Sequence, residues 1–472
     1  MKRIQTDVAV IGAGTAGLAA YRAATAAGAS AVIIEGGPYG TTCARVGCMP
    51  SKLLIAAAEA NHAVARWPEF GLRLDGSVAV DGRAVMERVK RERDRFVGFV
   101  LEGVDAIPEA HRIRGYATFL DDHQLQVDDH TLIAFSRAVI ATGSSPFIPS
   151  AWRELGDRLI VNDDVFEWDT LPRSVAVFGA GVIGLELGQA LHRLGVAVTV
   201  FGRDNHVGPF SDAAVRAYAI RTFGDEFPLF GNGKLVDMKR AGDGVEIRHV
   251  SDGREHVLNV DYAIAATGRR PNIARLDLKN TSLELNGNGV PIYNRCTMQA
   301  GDSGIFIGGD VSDDMALLHE AADEGRIAGE NAGRFPHIKA GLRRAPLGIV
   351  FTDPQLAVIG NACINLAPGS FVTGEVSFEN QGRSRVMLRN RGLLHLYADV
   401  RSGRLLGAEM MGPDAEHIGH LLAWALQMDM TVSQMLDMPF YHPVVEEGLR
   451  TALRDAHAKL KEADAPAIRR VA

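Results

Sequence analysis

Residues Asp7 to Glu35 read DVAVIGAGTAGLAAYRAATAAGASAVIIE. An apolar run of strand length, Asp7 to Ile11, leads into Gly12, Gly14 and Gly17. A helix-like stretch follows, and a second apolar run, Ala31 to Ile34, ends on Glu35. This is a β-α-β dinucleotide fingerprint in its proper context. The first glycine makes the tight turn, the second lets backbone approach a pyrophosphate, and the third allows close packing of helix on strand. The helix N-terminus then receives the anion, and Glu35 stands where an acid binds the ribose.

The pattern recurs. Residues Ser174 to Arg203 read SVAVFGAGVIGLELGQALHRLGVAVTVFGR, with Gly179, Gly181 and Gly184 in the fingerprint positions. The spacing that reaches Glu35 in the first unit lands on Gly202 in the second. Each unit later meets a strand ending in Ala-Thr-Gly, at Thr142 and Gly143 and at Thr267 and Gly268, and the first unit is the longer. Two fingerprints imply two dinucleotides, most simply a flavin nucleotide and a nicotinamide nucleotide.

Composition sets the outer bounds. At 472 residues the length prior is about three domains. The 50 Lys and Arg against 57 Asp and Glu argue against a bulk nucleic-acid binder. A charged fraction of 23% and a hydrophobic fraction of 47% exclude a wholly disordered chain and a polytopic membrane protein. The 51 glycines, with no collagen period, mean that many positions want positive φ or close backbone approach. The apolar start is short and runs into the glycine motif, so it reads as a strand and not a signal peptide. No apolar stretch reaches the ~18 residues of a membrane span. Four cysteines are no scaffold of the small secreted kind, and the expected compartment is the cytoplasm.

After the first unit comes GPYGTTCARVGCMPSKLLIAAAEA, with Cys43 and Cys48. Five residues of ideal helix rise about 7.5 Å, too far for a disulfide, so a bridge needs a distorted backbone. Gly47 supplies that freedom, and Met49-Pro50 resets the chain before a helix expected near Ser51. Two buried thiols, a passive staple and a strained, reducible pair are the open readings. The place beside a dinucleotide fold favours the last.

The chain here resembles the class I flavin-dependent pyridine nucleotide-disulfide oxidoreductases, which include dihydrolipoamide dehydrogenase, glutathione reductase and mercuric reductase. Their redox signature GGTCxxxGCxPSK is met by GTTCARVGCMPSK, with Thr41 replacing the second glycine. GIFIGGD (Gly304 to Asp310) is similar to the second flavin segment, VFTDPQLAVIG to the start of the interface domain, and YHPVVEE (Tyr441 to Glu447) to the C-terminal His-Pro motif.

The resemblance implies an α/β architecture with two Rossmann-like units and a C-terminal α+β dimerisation domain. Its expected parts are a flavin domain over 1–150, a nicotinamide domain over 151–272, a return to the flavin domain over 273–343, and the interface domain over 344–472. It implies that Cys43 exchanges with substrate, that Cys48 adjoins the flavin, and that Lys52 lies beside the isoalloxazine and pairs with Glu186. His442 would be the acid-base catalyst, oriented by Glu447 and serving the other subunit of a homodimer. FAD would be held by Gly12, Gly14, Gly17, Glu35, Thr142, Gly143 and Asp310. NAD(P) would be held by Gly179, Gly181, Gly184, Arg203 and Gly268. The substrate would be a small dithiol or disulfide resembling lipoamide. Cys296 and Cys363 lack motif partners and are expected as ordinary buried thiols, and no metal site is expected.

Some positions depart from the relatives. Gly202 followed by Arg203 leans toward tolerance of NADP(H), because Arg203 can meet a 2′-phosphate, whereas Gly184 in the third fingerprint position is more like the NAD-using members, so NAD stays open. Phe440 and Val444 replace a His and a Thr usual in dihydrolipoamide dehydrogenases, whereas layout and length fit that branch. The tail after Glu447 has no Cys, against mercuric reductase and high-molecular-weight thioredoxin reductase, and Cys43 argues against the soluble transhydrogenases. A glutathione-reductase-like enzyme, a redox-sensing flavoprotein and a diaphorase are the alternatives.

Overall fold

In the computed structural model, which describes residues 1–251 and 253–464, strand β1 (Lys2–Ile11) lies inside a seven-stranded sheet. It pairs in parallel with β2 (Ala31–Glu35) on one side and with Thr131–Ile140 on the other. Residues Val8 to Ile11 are almost wholly buried, as befits a parallel strand covered on both faces. The strand starts at Lys2, earlier than the apolar run that begins at Asp7. Its first residues pair with Thr131–Phe135, so a backbone ladder extends it where hydrophobicity does not. The strand Ile305–Ile307 joins the same sheet beside Ala138–Ile140, so the chain returns to its first unit after building the second.

Helix α1 (Thr15–Ala26) packs on the helix Leu318–Arg334 through a stripe of small residues. Cβ atoms on Gly325, Gly329 and Gly333 would overlap the backbone or Cβ atoms of Ala16, Ala20, Ala24 and Ala27. Glycine at every fourth position therefore brings the two helices together at backbone distance. This clamps the glycine turn that precedes α1.

The second unit repeats the plan with a parallel five-stranded sheet. Its order is Leu229–Phe230, Ala197–Phe201, Ser174–Phe178, Tyr262–Ala265, Leu159–Ile160. A three-stranded antiparallel sheet, Lys234–Ala241 with Gly244–Ser251 and Arg254–Val260, is appended to it. Two short strands, Ser144–Pro146 and Arg269–Pro271, tie the segments that follow the two Ala-Thr-Gly motifs. The last sheet is antiparallel, in the order Leu347–Val350, Gln355–Gly360, Leu405–Gly412, Leu393–Asp399, Phe371–Ser377. It shares one core with the helices Ala415–Gln427 and Glu447–Asp464. Residues 465–472 of the expected interface domain lie outside the described residues.

A buried polar latch joins the second unit to this last sheet. Asp212 caps the helix Ala213–Gly224 with one carboxylate oxygen and accepts from His395 Nδ1 (2.8 Å) and the Tyr397 hydroxyl (3.0 Å) with the other. His395 Nε2 donates to Glu375 at 2.8 Å. Buried Glu409 accepts from the Ser211 and Asp212 backbone N–H groups and from that of Cys363. Both His395 nitrogens face acceptors, so the ring is held as an imidazolium. Burial pulls its pKa down, but the hydrogen bond and charge of Asp212, then Glu375, raise it overall. Burial likewise opposes ionisation of Asp212, and His395 outweighs it, lowering Asp212 to about 2. The stability from His395 is therefore present below its unfolded pKa of about 6.5 and is lost as pH rises through the raised folded value. That from Asp212 is lost only as pH falls from about 3.9 through the depressed folded value. Between about pH 6 and about pH 9 the melting temperature should fall by a few degrees, and His395→Gln should flatten that slope. Scanning calorimetry across this range checks it, and an unchanged slope in the variant contradicts it.

Candidate active site

A cavity of about 540 Å³ opens at the carboxyl ends of β1, β2 and Thr131–Ile140, the place where open parallel sheets bind ligands. Its backbone is built for close approach. Gly12 has φ +107°, and a Cβ there would overlap the Ala141 carbonyl; one on Gly17 would overlap Gly12 itself. A Cβ on Gly14 would meet only open space, so that turn faces the cavity. No side chain caps the N-terminus of α1 and no acid occupies its first turn, leaving its N–H groups and dipole for an anion. Glu35 accepts from Ala13 N at 2.8 Å and from Gly37 N at 2.7 Å. It thus pins the phosphate-binding turn while it lines the cavity. This donor set, concavity and bare backbone fit FAD.

The remaining expected flavin contacts are linked to one another. The Thr142 hydroxyl donates to Asn272 O, and Asn272 returns bonds to Thr142 O and Gly143 O. Asp310 accepts from the Ser144 hydroxyl at 2.8 Å, and Arg269 donates to Ser144 Oγ and O. Asn272 and Arg269 hold no fingerprint position of their own, although both sit in the AATGRRPN stretch that carries Gly268. Tyr116, with the Arg275 guanidinium 4.3 Å from its ring centroid, and Arg45 and Asp163 also line the cavity. Burial raises the Asp163 carboxyl against the charges of Arg269 and Arg45. Each is a lone residue with no local motif.

The Cys43–Cys48 segment comprises two helices, α2 (Thr42–Val46) and α3 (Cys48–Ala65), broken at Gly47 with φ −125° and ψ −114°. The longer helix begins at Cys48, before the expected start near Ser51. Pro50 is tolerated because the N–H groups of a first helical turn have no intrahelical partner. Thr41 adopts φ 59° and ψ 152°, a glycine-type conformation, and its hydroxyl accepts from Ala44 N at 3.3 Å. The family glycine is thus replaced by a residue that carries backbone strain and caps the Cys43 helix in return. Cys43 is half-buried and Cys48 exposed, both as free thiols. Interaction between the two thiols holds Cys48 down at about 7, helped by the charge of Lys52, and with burial pushes Cys43 up. Cys48 is also the first residue of an eighteen-residue helix, whose dipole favours a thiolate there.

Lys52 Nζ meets Glu186 at 2.8 and 2.9 Å and lies 4.6 Å from the Phe351 ring centroid. Glu186 is 5% exposed and also accepts from Phe351 N. Its carboxylate therefore fixes the Lys52 ammonium one turn beyond Cys48. His442 Nδ1 donates to both Glu447 oxygens, at 3.0 and 3.1 Å, and that bond, with Val444 N, holds the Glu447 carboxyl low. His442 is 81% exposed. Among the described residues none of its hydrogen bonds reaches the Cys43 loop of its own chain. Leu421, Trp424 and Met428 form an exposed stripe along the helix Ala415–Gln427 of the same sheet-and-helix layer.

In the second unit a Cβ on Gly179 would overlap Ala266 O and one on Gly184 would overlap Gly179 O, whereas Gly181 and Gly268 face open space. At Gly202 a Cβ would stand 3.1 Å from Gly231 O and 3.3 Å from Ala180 Cβ. A side chain such as that of Glu35 would need these neighbours to give by a few tenths of an ångström. Arg203 follows, 94% exposed, with Asp204 at 3.4 Å as its ion-pair partner among the described residues. Cys296 is exposed and Cys363 half-buried, correcting the expectation that both are buried. Cys296 lies in a surface turn closed by Asn294, and Cys363 lies at the rim of the Glu409 latch. Among the described residues no helix is long and apolar enough to cross a membrane, and no cluster of three or more His, Cys, Asp or Glu could hold a metal.

Comparison with known proteins meets this geometry over nearly the whole chain. The pyridine nucleotide-disulphide oxidoreductase model matches residues 6–325 and the dimerisation domain of that family matches 347–453. Dihydrolipoyl dehydrogenase 3 of Haloarcula marismortui is 29% identical over 96% of this chain and 97% of its own length. Mercuric reductase of Shigella flexneri is 30% identical over 96% of this chain and 81% of its own. Among solved structures, the HOCl-induced flavoprotein disulfide reductase RclA of Escherichia coli superposes with TM-score 0.80 at 21% identity, covering 96% of this chain and 99% of that one. LpdA of Mycobacterium tuberculosis does so with TM-score 0.81 at 23% identity and the same coverage. The chain belongs to the pyridine nucleotide-disulphide oxidoreductase family and is an FAD-dependent, NAD(P)H-using disulfide oxidoreductase that carries the family's dimerisation domain.

Proposed function

We propose that the enzyme exchanges electrons with a small dithiol or disulfide of the lipoamide kind, through Cys43 and Cys48, as a homodimer in the cytoplasm. Its proposed parts are a flavin domain over 1–150 and 273–343, a nicotinamide domain over 151–272 and an interface domain from 344. The observation that carries the reading is the placing of Cys43 and Cys48 as free thiols on either side of the break at Gly47, with Cys48 at the head of α3 one turn before the Lys52–Glu186 pair.

FAD, bound in the cavity, supplies two-electron transfer between NAD(P)H and the thiol pair. In the direction of disulfide reduction, Cys43 must lose its proton before it can attack. His442 of the partner subunit accepts that proton on Nε2, since Glu447 occupies Nδ1. The Cys43 thiolate attacks one substrate sulfur, forming a mixed disulfide, and the departing sulfur takes the proton from His442. The Cys48 thiolate then attacks Cys43 Sγ; the enzyme disulfide forms, and the second substrate sulfur leaves as a thiolate that takes a proton from solvent. The substrate gains two electrons, the enzyme pair loses two, and the reverse sequence oxidises a dithiol. Lys52, paired with Glu186, supports the Cys48 thiolate until that sulfur attacks. Arg203, free of a ribose-binding acid, supports use of NADPH beside NADH.

Initial rates with NADH and NADPH against lipoamide and oxidised glutathione test the reading. Lipoamide should turn over at least about tenfold faster than glutathione, the scale of 1.4 kcal/mol in transition-state binding. Turnover of neither, with nicotinamide still oxidised by quinones, overturns it in favour of a diaphorase.

A further inference from the structure

The redox loop carries a backbone carbonyl that its own helices cannot satisfy. Val46 ends α2, between Cys43 and Cys48, and a continuing helix would bond its carbonyl to the N–H four residues on. That residue is Pro50, which has no N–H. Val46 is buried at 9% exposure, so water is a poor substitute. The missing donor comes from outside the loop. Asn162, first residue of the short helix Asn162–Val165 in the crossover toward the second unit, is 7% exposed. Its Nδ2 donates to Val46 O at 3.1 Å and to Asp163 Oδ1 at 2.8 Å, committing both of its N–H groups.

We infer that Asn162 is a positioning residue of the redox loop: by holding the Val46 carbonyl it fixes the separation of Cys43 and Cys48 and so sets how readily the two sulfurs join and part. The inference rests on reading Cys43 and Cys48 as the redox pair. Gly47 gives the loop its freedom to bend, and Asn162 removes the excess of that freedom at the peptide next to the bend. A loop held so presents one sulfur to the other at high effective concentration. A loop released would keep both thiols but bring them together less often. Asp163, on the same short helix, lines the flavin cavity, so one element braces the loop and shapes the cofactor wall.

The test uses FAD-loaded enzyme equilibrated in mixtures of reduced and oxidised dithiothreitol, quenched with acid and counted for free thiols. Asn162→Ala removes the donor, and Asn162→Asp keeps the volume but replaces the donor with an acceptor, so it decides the matter if the alanine chain fails to fold. Each should shift the equilibrium toward dithiol by about tenfold, or about 30 mV for this two-electron couple. Each should also slow alkylation of Cys48 at neutral pH severalfold. A residue of purely structural value would lower the melting temperature and leave both readouts where they are, and that result overturns the inference. If the wild-type enzyme itself forms no Cys43–Cys48 disulfide in these buffers, the redox-pair reading fails before Asn162 is tested.

Discussion

Cys43→Ser is expected to lower disulfide turnover by about a thousandfold or more while NAD(P)H still reduces FAD at close to the wild-type rate. The two half-reactions use different groups. Reduction of the flavin by nicotinamide, expected to bind in the second unit where Gly181 and Gly268 face open space, needs no sulfur. Disulfide exchange needs a nucleophile that can form and then release a bond to substrate sulfur, and a serine oxygen cannot cycle in this way. The variant should also shift Cys48. Its lowered pKa depends first on the hydrogen bond from Cys43, and a hydroxyl donor keeps part of that bond. Stopped-flow absorbance of the flavin separates the halves: fast bleaching by NADPH or NADH with no reoxidation by lipoamide is the expected record. Full disulfide activity in the variant would mean that electrons leave the flavin by another route.

His442→Gln should cost about 10²- to 10⁴-fold in the same turnover, for a reason specific to this thiol pair. Cys43, the sulfur that must attack, has its thiol pushed up by its hydrogen bond to Cys48 and by burial, so it does not ionise readily by itself. A base is therefore indispensable for the first step, and the Nε2 of a ring tied through Nδ1 to Glu447 is free to supply it. The loss should be largest at neutral pH and shrink as pH rises, because hydroxide deprotonates Cys43 directly. Glu447→Gln should cost less, since it disturbs only the orientation and tautomer of the ring. Equal losses at all pH values would remove His442 from the proton path and leave it a surface residue.

Much of the fold was legible because glycine carries backbone information locally. Gly12 and Gly17, and Gly179 and Gly184, stand where a Cβ would overlap backbone, and no other residue type writes that requirement into a sequence. The departures were legible as well, and the structure supplies their causes. Gly202 stands close to Gly231 and Ala180, and Thr41 replaces a glycine by trading strain for a cap on the Cys43 helix. What escaped the sequence lies between distant segments. Asp212, His395 and Glu409 belong to three elements with no shared motif, and only folding brings them within hydrogen-bond reach. Pro50 announces an orphan carbonyl at Val46, but nothing near it points to Asn162 as the donor. Tyr116 and Arg275, stacked at the cavity wall, are likewise far apart in the chain.

The most direct test of the account is a thiol count on denatured protein before and after anaerobic reduction of the air-oxidised enzyme by NADPH or NADH. The chain has four cysteines. With Cys296 and Cys363 as free thiols throughout, the oxidised enzyme should yield two and the reduced enzyme four, and Cys43→Ser should yield three in both states. An unchanged count in the wild-type enzyme, with its flavin fully reduced, would show that Cys43 and Cys48 take no electrons from the nicotinamide and would contradict the account.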